Sequence, residues 1–200
     1  MPEVENTNPE TRDLILATAE AHLRRFGYAR TTVSEIARAC GMSHANVYRF
    51  FKTKADIIDA VVARSLGDTE KALAKVMKQS KPASELLEAY ILELYRSKRS
   101  QASTDPEIFE ALSAILQAHR NVIEQHLVHI YASVKEILNR GAQSGEFKIV
   151  DLDRATHAVL DATLKFRHPL LMADANDSPT DEQVTTVAKL LIAALSIGFI

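Results

Sequence analysis

Residues 31 to 54 read TTVSEIARACGMSHANVYRFFKTK, and the capping residues in this stretch decide the fold. Thr32 followed by Glu35 is a capping box, in which each side chain bonds the other's backbone N–H at a helix start. Behind it Val33, Ile36, Ala37 and Cys40 fall at i, i+3, i+4 and i+7, one buried stripe of a short helix. Gly41 supplies a tight stop and Ser43 caps a second short helix, with Val47, Phe50 and Phe51 expected to face inward. The polar face left outside carries His44, Asn46, Tyr48 and Arg49.

The charge around this stretch is concentrated. Within residues 21–54 lie Arg24, Arg25, Arg30, Arg38, Arg49, Lys52 and Lys54 against the single acid Glu35, a local charge of +6. The whole chain carries −2, so the rest sums to −8. A basic island on an acidic chain points to a polyanionic partner for this segment alone. Two short helices joined by a glycine-containing turn, with a polar outer face and basic flanks, form a helix-turn-helix suited to the major groove of DNA. Taken singly, Arg24, Arg25 and Lys52 read as solvated surface, whereas the constellation reads as DNA binding.

Outward from this stretch the apolar period is helical throughout. Asn8 before Pro9 caps a first helix carrying Ile15, Ala19, Leu23 and Phe26 on one face and stopping at Gly27. Thr53 with Asp56 starts a fourth helix running to about Lys78. Further helices are expected at about 84–99, 106–117, 119–143, 151–167 and 181–198, separated by SQASTDP, GAQSGEF and ADANDSPTD. The expected architecture is all-α. A helix-turn-helix domain over residues 9–53 joins, through the long fourth helix, a helical ligand-binding and dimerisation domain over 54–200.

Composition excludes several classes. Cys40 is the only cysteine, so no internal disulfide forms, and a reducing, cytoplasmic location is expected. The acidic opening MPEVENTNPE is no signal peptide. The longest apolar run, Leu190 to Ile200, is eleven residues, against the roughly 20 needed to cross a membrane, so a soluble protein without membrane partner is expected. No nucleophile motif, phosphate-binding glycine loop or carboxylate pair supports catalysis, and no cofactor is implied. His119, His126 and His129 lie along one side of a predicted helix. That row is the basis of an alternative reading, an all-helical enzyme or metal-binding protein. A structural metal site wants four donors, and the sequence places no fourth partner, so a polar seam or a pocket wall is the preferred reading.

The opening stretch resembles the DNA-binding domain of the tetracycline-repressor (TetR) family of bacterial transcription regulators. The resemblance rests on Phe26-Gly27, Thr31-Thr32, Ile36-Ala37, Gly41-Met42-Ser43, Tyr48, Phe51 and Lys54, and it covers about residues 10–60. Beyond residue 80 it is one of helix count and length, with an RGAQSGEF segment at 140–147 of a kind common in the family. Ala45 and Asn46 depart from it, standing where the family often has glycine and a small hydroxyl residue or alanine. Both change which bases can be read.

The resemblance implies a ligand-responsive repressor that binds an inverted-repeat operator in double-stranded DNA as a homodimer. It implies phosphate contacts from Thr31, Thr32, Tyr48 and Lys54. His44, Ala45, Asn46 and Arg49 are the base-reading candidates: Asn pairs with adenine, Arg with guanine, and alanine meets a thymine methyl. The last two helices are the expected dimer bundle, because Leu152, Ala155, Val159, Ala162 and Phe166 form a narrow stripe and the final helix is apolar nearly all round. Apolar faces nominate Tyr90, Leu94, Phe109, Leu112, Leu116, Ile123 and Phe166 as lining a pocket for a small, largely apolar effector.

Overall fold

The structure, a computed structural model, describes residues 8–117, 121–172 and 179–198, with the side chains of 112–117 and of Leu170 outside that description. The described residues form α1 (Pro9–Arg30), α2 (Val33–Ala39), α3 (His44–Phe50), α4 (Lys54–Met77), α5 (Ala83–Thr104), α6 (Pro106–Gln117), α7 (Asn121–Ser144), α8 (Leu152–Ala162), α9 (Pro169–Met172) and α10 (Asp181–Ile197), with a 3-10 turn at Leu164–Phe166. They contain no strand, so the all-α expectation holds. The expected 151–167 helix is shorter: α8 ends at Thr163, whose hydroxyl turns back to bond the Val159 carbonyl (2.7 Å), and the chain tightens into the 3-10 turn. No helix among the described residues is long and apolar enough to cross a membrane.

The chain forms two compact units. Unit 1 spans residues 1–65 with 105–118, and unit 2 spans 66–104 with 119–200. The expected split at 53/54 falls inside unit 1, and α4 contributes residues to both units.

In unit 1, α2 packs on both α1 and α3, and α6 packs on α1. Ile15, Ala19, Leu23, Ile36 and Val47 are completely enclosed, the burial of each of the four larger side chains worth about 1.5–3 kcal/mol. As expected, the helical backbone of α1 stops at Gly27. Gly27 breaks it with φ 74°, and a further turn follows to Arg30. Phe26, expected inside, is 40% exposed. It sits at the break, stacked against His22 with Arg25 over its ring.

In unit 2, α5 packs on α7 and α10, and α8 packs on α7 and α10. The RGAQSGEF segment closes this unit. Glu146 accepts from the Ala83 and Ser84 backbone N–H groups (2.9 and 3.0 Å) and from the Ser84 hydroxyl, so its carboxylate caps α5. Those bonds hold the Glu146 carboxyl below its ordinary pKa. Phe147 lies buried against Gly141, where a side chain would overlap the ring.

Candidate DNA-binding face and effector cleft

The helix-turn-helix is built by local bonds. Thr32 and Glu35 form the expected box: the Glu35 N–H donates to Thr32 Oγ1 (3.3 Å) and the Thr32 N–H donates to Glu35 Oε2 (3.2 Å). At the other end of α2, Gly41 N–H donates to the Arg38 carbonyl and Met42 N–H to the Ala37 carbonyl. With Gly41 at φ 66°, this pair of bonds is a Schellman stop. Ser43 Oγ then accepts from the Asn46 N–H at 3.2 Å and opens α3. A turn bonded at every step fixes the angle between the two helices, which a reading helix requires.

Helix α3 holds itself by Val47, which is fully enclosed, while His44, Ala45, Tyr48 and Arg49 are exposed and Asn46 is half-buried. Tyr48 and His44 meet edge to face at 4.7 Å. Arg30, Arg38, Arg49 and Lys52 are exposed and form no ion pair among the described residues. Arg24, by contrast, is bound to Glu20 and Asp105, which keep its guanidinium firmly charged and withdraw it from the free positive set.

Two of the residues implied as phosphate contacts are already engaged. Thr31 is fully buried, and its hydroxyl donates to the Gly27 carbonyl at 2.9 Å. In this conformation its hydroxyl clasps the break in α1 and is not presented to a phosphate, unlike the role implied for it. Lys54 is half-buried, donates to the Tyr28 carbonyl at 2.7 Å and lies over the Tyr28 ring at 4.4 Å. Burial lowers its pKa, and two of its three donors remain for other acceptors. Thr32 is exposed, with its hydroxyl donating to Glu35. Cys40, expected on the buried stripe, is half-buried at the end of α2.

Unit 2 contains an open cleft of about 480 Å³ lined by residues of α4, α5 and α7, among them Glu70, Leu73, Met77, Tyr90, His129, Ile130 and Ser133. Of the pocket residues expected from sequence, Tyr90 lines this cleft. Tyr90, Leu94 and Phe166 also line a second, narrow crevice with Val159 and Arg167. Ile123 is buried on α7. Phe109 is buried too, but it belongs to unit 1, on the helix that packs on α1. The seven therefore do not gather into one lining within either unit. The side chains of Leu112 and Leu116, and His119 altogether, lie outside the described residues.

At one end of the cleft a polar knot forms that periodicity did not single out. Glu70 Oε1 accepts from Nδ1 of both His126 (3.0 Å) and His129 (3.3 Å). Burial alone would push the Glu70 carboxyl up; the two imidazoles more than offset it and hold it low. Burial, then the charge of Lys98, pushes His126 down to about 4. Lys98 itself is only 3% exposed and burial lowers it to about 8. Its ammonium has no hydrogen-bond acceptor among the described residues, and neither does Nε2 of His126 have a partner. Among the described residues no group of three or more His, Cys, Asp and Glu side chains is arranged to hold a metal. A lysine inside an apolar helix pattern carries a weak signal: Lys98 stands at i+8 from Tyr90 and i+4 from Leu94, on their face.

Comparison with known proteins agrees with both units. Residues 15–61 match the family model described as bacterial regulatory proteins of the tetR family, and residues 83–188 match the tetracyclin repressor-like C-terminal domain. The HTH-type transcriptional regulator TtgR of Pseudomonas putida is 25% identical over 179 residues, covering 84% of each chain. A TetR/AcrR-family regulator from Thermobifida fusca superposes with a TM-score of 0.68 at 20% identity, covering 92% of this chain and 97% of that one. The regulator FadR from Bacillus subtilis, solved with stearoyl-CoA, superposes with a TM-score of 0.63 at 21% identity over 93% and 98%. The second family match alone spans more than half the chain, and with the helix-turn-helix it establishes that this protein belongs to the TetR family, as a ligand-responsive, DNA-binding transcriptional regulator.

Proposed function

We propose that this regulator is a cytoplasmic homodimeric repressor that reads an inverted repeat with α3 and releases it when a small, largely apolar effector enters unit 2. It acts by binding, with no chemistry of its own. Residues 9–53 serve as the reading head and 54–200 as the sensing and pairing part. The observation that carries the reading is the outer face of α3: His44, Ala45, Tyr48 and Arg49 stand exposed beside unpaired Arg38 and Lys52, on a turn bonded at every step. In this reading His44, Ala45, Asn46 and Arg49 meet bases, while Thr32, Tyr48 and Lys54 meet phosphates. Tyr90, Leu94 and Phe166 contribute to the effector site.

Dimerisation is supported by what α10 leaves uncovered. Val184, Ala188, Leu191 and Leu195 are buried in unit 2, while Leu190 and Ile197 are 71% and 72% exposed in line with exposed Thr186 and Ala193. An apolar stripe of this length in water favours a second surface, and the same helix of a second copy supplies one about a twofold axis. Leu190→Glu should convert a dimer into a monomer in light scattering. A wild-type protein that scatters as the 22.2 kDa chain rejects the dimer.

The reading of DNA is tested on duplexes selected by the protein itself. Asn46→Ala should flatten discrimination at particular base pairs by about 1–3 kcal/mol. Tyr48→Phe should weaken all duplexes alike, and Lys54→Ala should do the same while reducing the slope of log affinity against log salt by about one unit. If Asn46→Ala left the ranking of all duplex variants unchanged, α3 would not be reading bases through it.

A further inference from the structure

Three helix faces meet at the cleft of unit 2, and each changes character along its length. On α5, Tyr90 and Leu94 lead to Lys98. On α7, Ser133 and Ile130 lead to His126. On α4, Met77 and Leu73 lead to Glu70. The Glu70–His126 bond brings the polar ends together, and the common lining of Met77, Tyr90 and Ser133 brings the other ends together. Glu70 and His129 therefore mark one end of the cleft, with Lys98 and His126 buried behind them; Leu73, Ile130 and Tyr90 line its middle, and Lys78, Glu136 and Arg140 line its far end.

We propose that Lys98 and His126, buried directly behind Glu70 at the cleft wall, anchor the carboxylate of an amphipathic effector that enters past Glu70 and whose hydrocarbon part lies along Leu73 and Ile130. This rests on the reading of unit 2 as the effector-binding part and specifies the chemistry of its ligand. Lys98 is buried and has no acceptor, and an ammonium in that setting is most stabilised by an anion. Glu70 is already occupied by two imidazoles through one oxygen.

Charge balance selects how the carboxylate enters. Empty, the group of Lys98, Glu70 and His126 is neutral, with Lys98 positive, Glu70 negative and the His126 imidazole uncharged. With Nδ1–H of His126 donating to Glu70, its Nε2 is a bare lone pair that would repel a carboxylate oxygen. A proton taken from water onto Nε2 removes that repulsion and restores neutrality. His126 then bridges Glu70 and the ligand, and Lys98 meets the ligand from α5. The titratable groups facing His126 are Glu70 on α4, Lys98 on α5 and His129 on its own helix. Ligand binding thus raises the pKa of His126 from about 4 and takes up close to one proton per carboxylate at neutral pH.

The test is calorimetry of the full chain with octanoate, decanoate and cinnamate against the corresponding alcohols, repeated in buffers of different ionisation enthalpy. Carboxylates should bind at least about tenfold tighter than alcohols, with the buffer dependence reporting proton uptake. Lys98→Met should abolish the preference, and His126→Gln should abolish the uptake, with far-UV circular dichroism showing both variants folded. Equal affinity for acid and alcohol, an unchanged preference in Lys98→Met, unchanged uptake in His126→Gln, or no saturable binding by any carboxylate overturns the anchor. Duplex binding is measured on the same preparations. Protein that binds DNA but ignores ligand charge rejects the anchor and keeps the regulator, whereas Lys98-dependent carboxylate binding without DNA binding does the reverse.

Discussion

Units 1 and 2 treat their polar groups in opposite ways. In the helix-turn-helix nearly every capping bond spans two to five residues, and what remains polar points outward from α3. In unit 2 the decisive polar bonds join residues far apart in sequence: Glu146 to Ser84, Glu70 to His126, Arg96 to Asp181. Among the described residues, Lys98 Nζ, His126 Nε2, Arg167 Nε and His168 Nδ1 are buried there with no hydrogen-bond partner, against His22 Nδ1 in unit 1. A reading head has to present its donors to a partner, so its interior needs only to be stiff. A sensor has to hold unsatisfied groups inside until a ligand arrives. Unit 1 should accordingly separate binding from stability, whereas unit 2 should couple them.

The largest expected effect tests the long-range character of unit 2. Gly141→Ala places a methyl into the Phe147 ring, and neither α7 nor the buried ring can give way freely. The loss should be about 3 kcal/mol, at the upper end of ordinary overpacking, read as a lower denaturant midpoint. A midpoint within error of the wild type would show that Phe147 repacks without cost and that the RGAQSGEF closure is not rigid.

That segment also shows where sequence reading stops. RGAQSGEF was recognisable as a pattern, and GAQSGEF was expected as a break, but nothing local tells that Glu146 caps a helix starting at Ala83. The helix-turn-helix was legible because Thr32, Glu35, Gly41 and Ser43 act on neighbours. The chain breaks at 80–82 and 105 and the start of α10 at Asp181 were legible for the same reason. Phe109 shows the converse. Its apolar face was clear, yet which helix that face meets depends on α6 packing against α1, a contact across some ninety residues that periodicity cannot encode. Thr31 and Thr32 are adjacent and chemically identical; only the break at Gly27 decides that one is interior and the other a cap.

A second prediction, with an effect of about 2 kcal/mol, concerns the unsatisfied interior. Lys98→Met should stabilise the ligand-free protein at neutral pH, because an apolar side chain of similar length replaces a buried unpaired charge. Its pH dependence has a definite sign. The folded pKa of about 8 lies below the ordinary 10.5, so between these values the unfolded chain holds the proton that the folded chain has lost. Wild-type stability therefore recovers as pH rises through that window, and the advantage of Lys98→Met shrinks there. His126 behaves likewise at lower pH: with a folded value of about 4 against 6.5, acidification across that interval should destabilise the wild type and affect His126→Gln less. If Lys98→Met were destabilising at pH 7, the ammonium would have a partner inside unit 2, and the contrast between the units would fail at its centre.

The smallest effect probes the one place where unit 1 behaves like unit 2. Thr31 belongs to the stretch that faces DNA by resemblance, yet its hydroxyl is spent inside, on the Gly27 carbonyl. Thr31→Val keeps the shape, removes that bond and leaves the carbonyl without its donor, which should cost about 1 kcal/mol of stability. Because no phosphate contact is lost, affinity for duplex DNA should stay at the wild-type value, whereas Tyr48→Phe should lower that affinity at unchanged stability. The two substitutions thus exchange signatures within one helix-turn-helix. If Thr31→Val instead weakened duplex binding and left the denaturant midpoint alone, Thr31 would have to leave its buried site on DNA. The break at Gly27 would then be a moving part rather than a fixed clasp, because only opening it frees the hydroxyl for a phosphate.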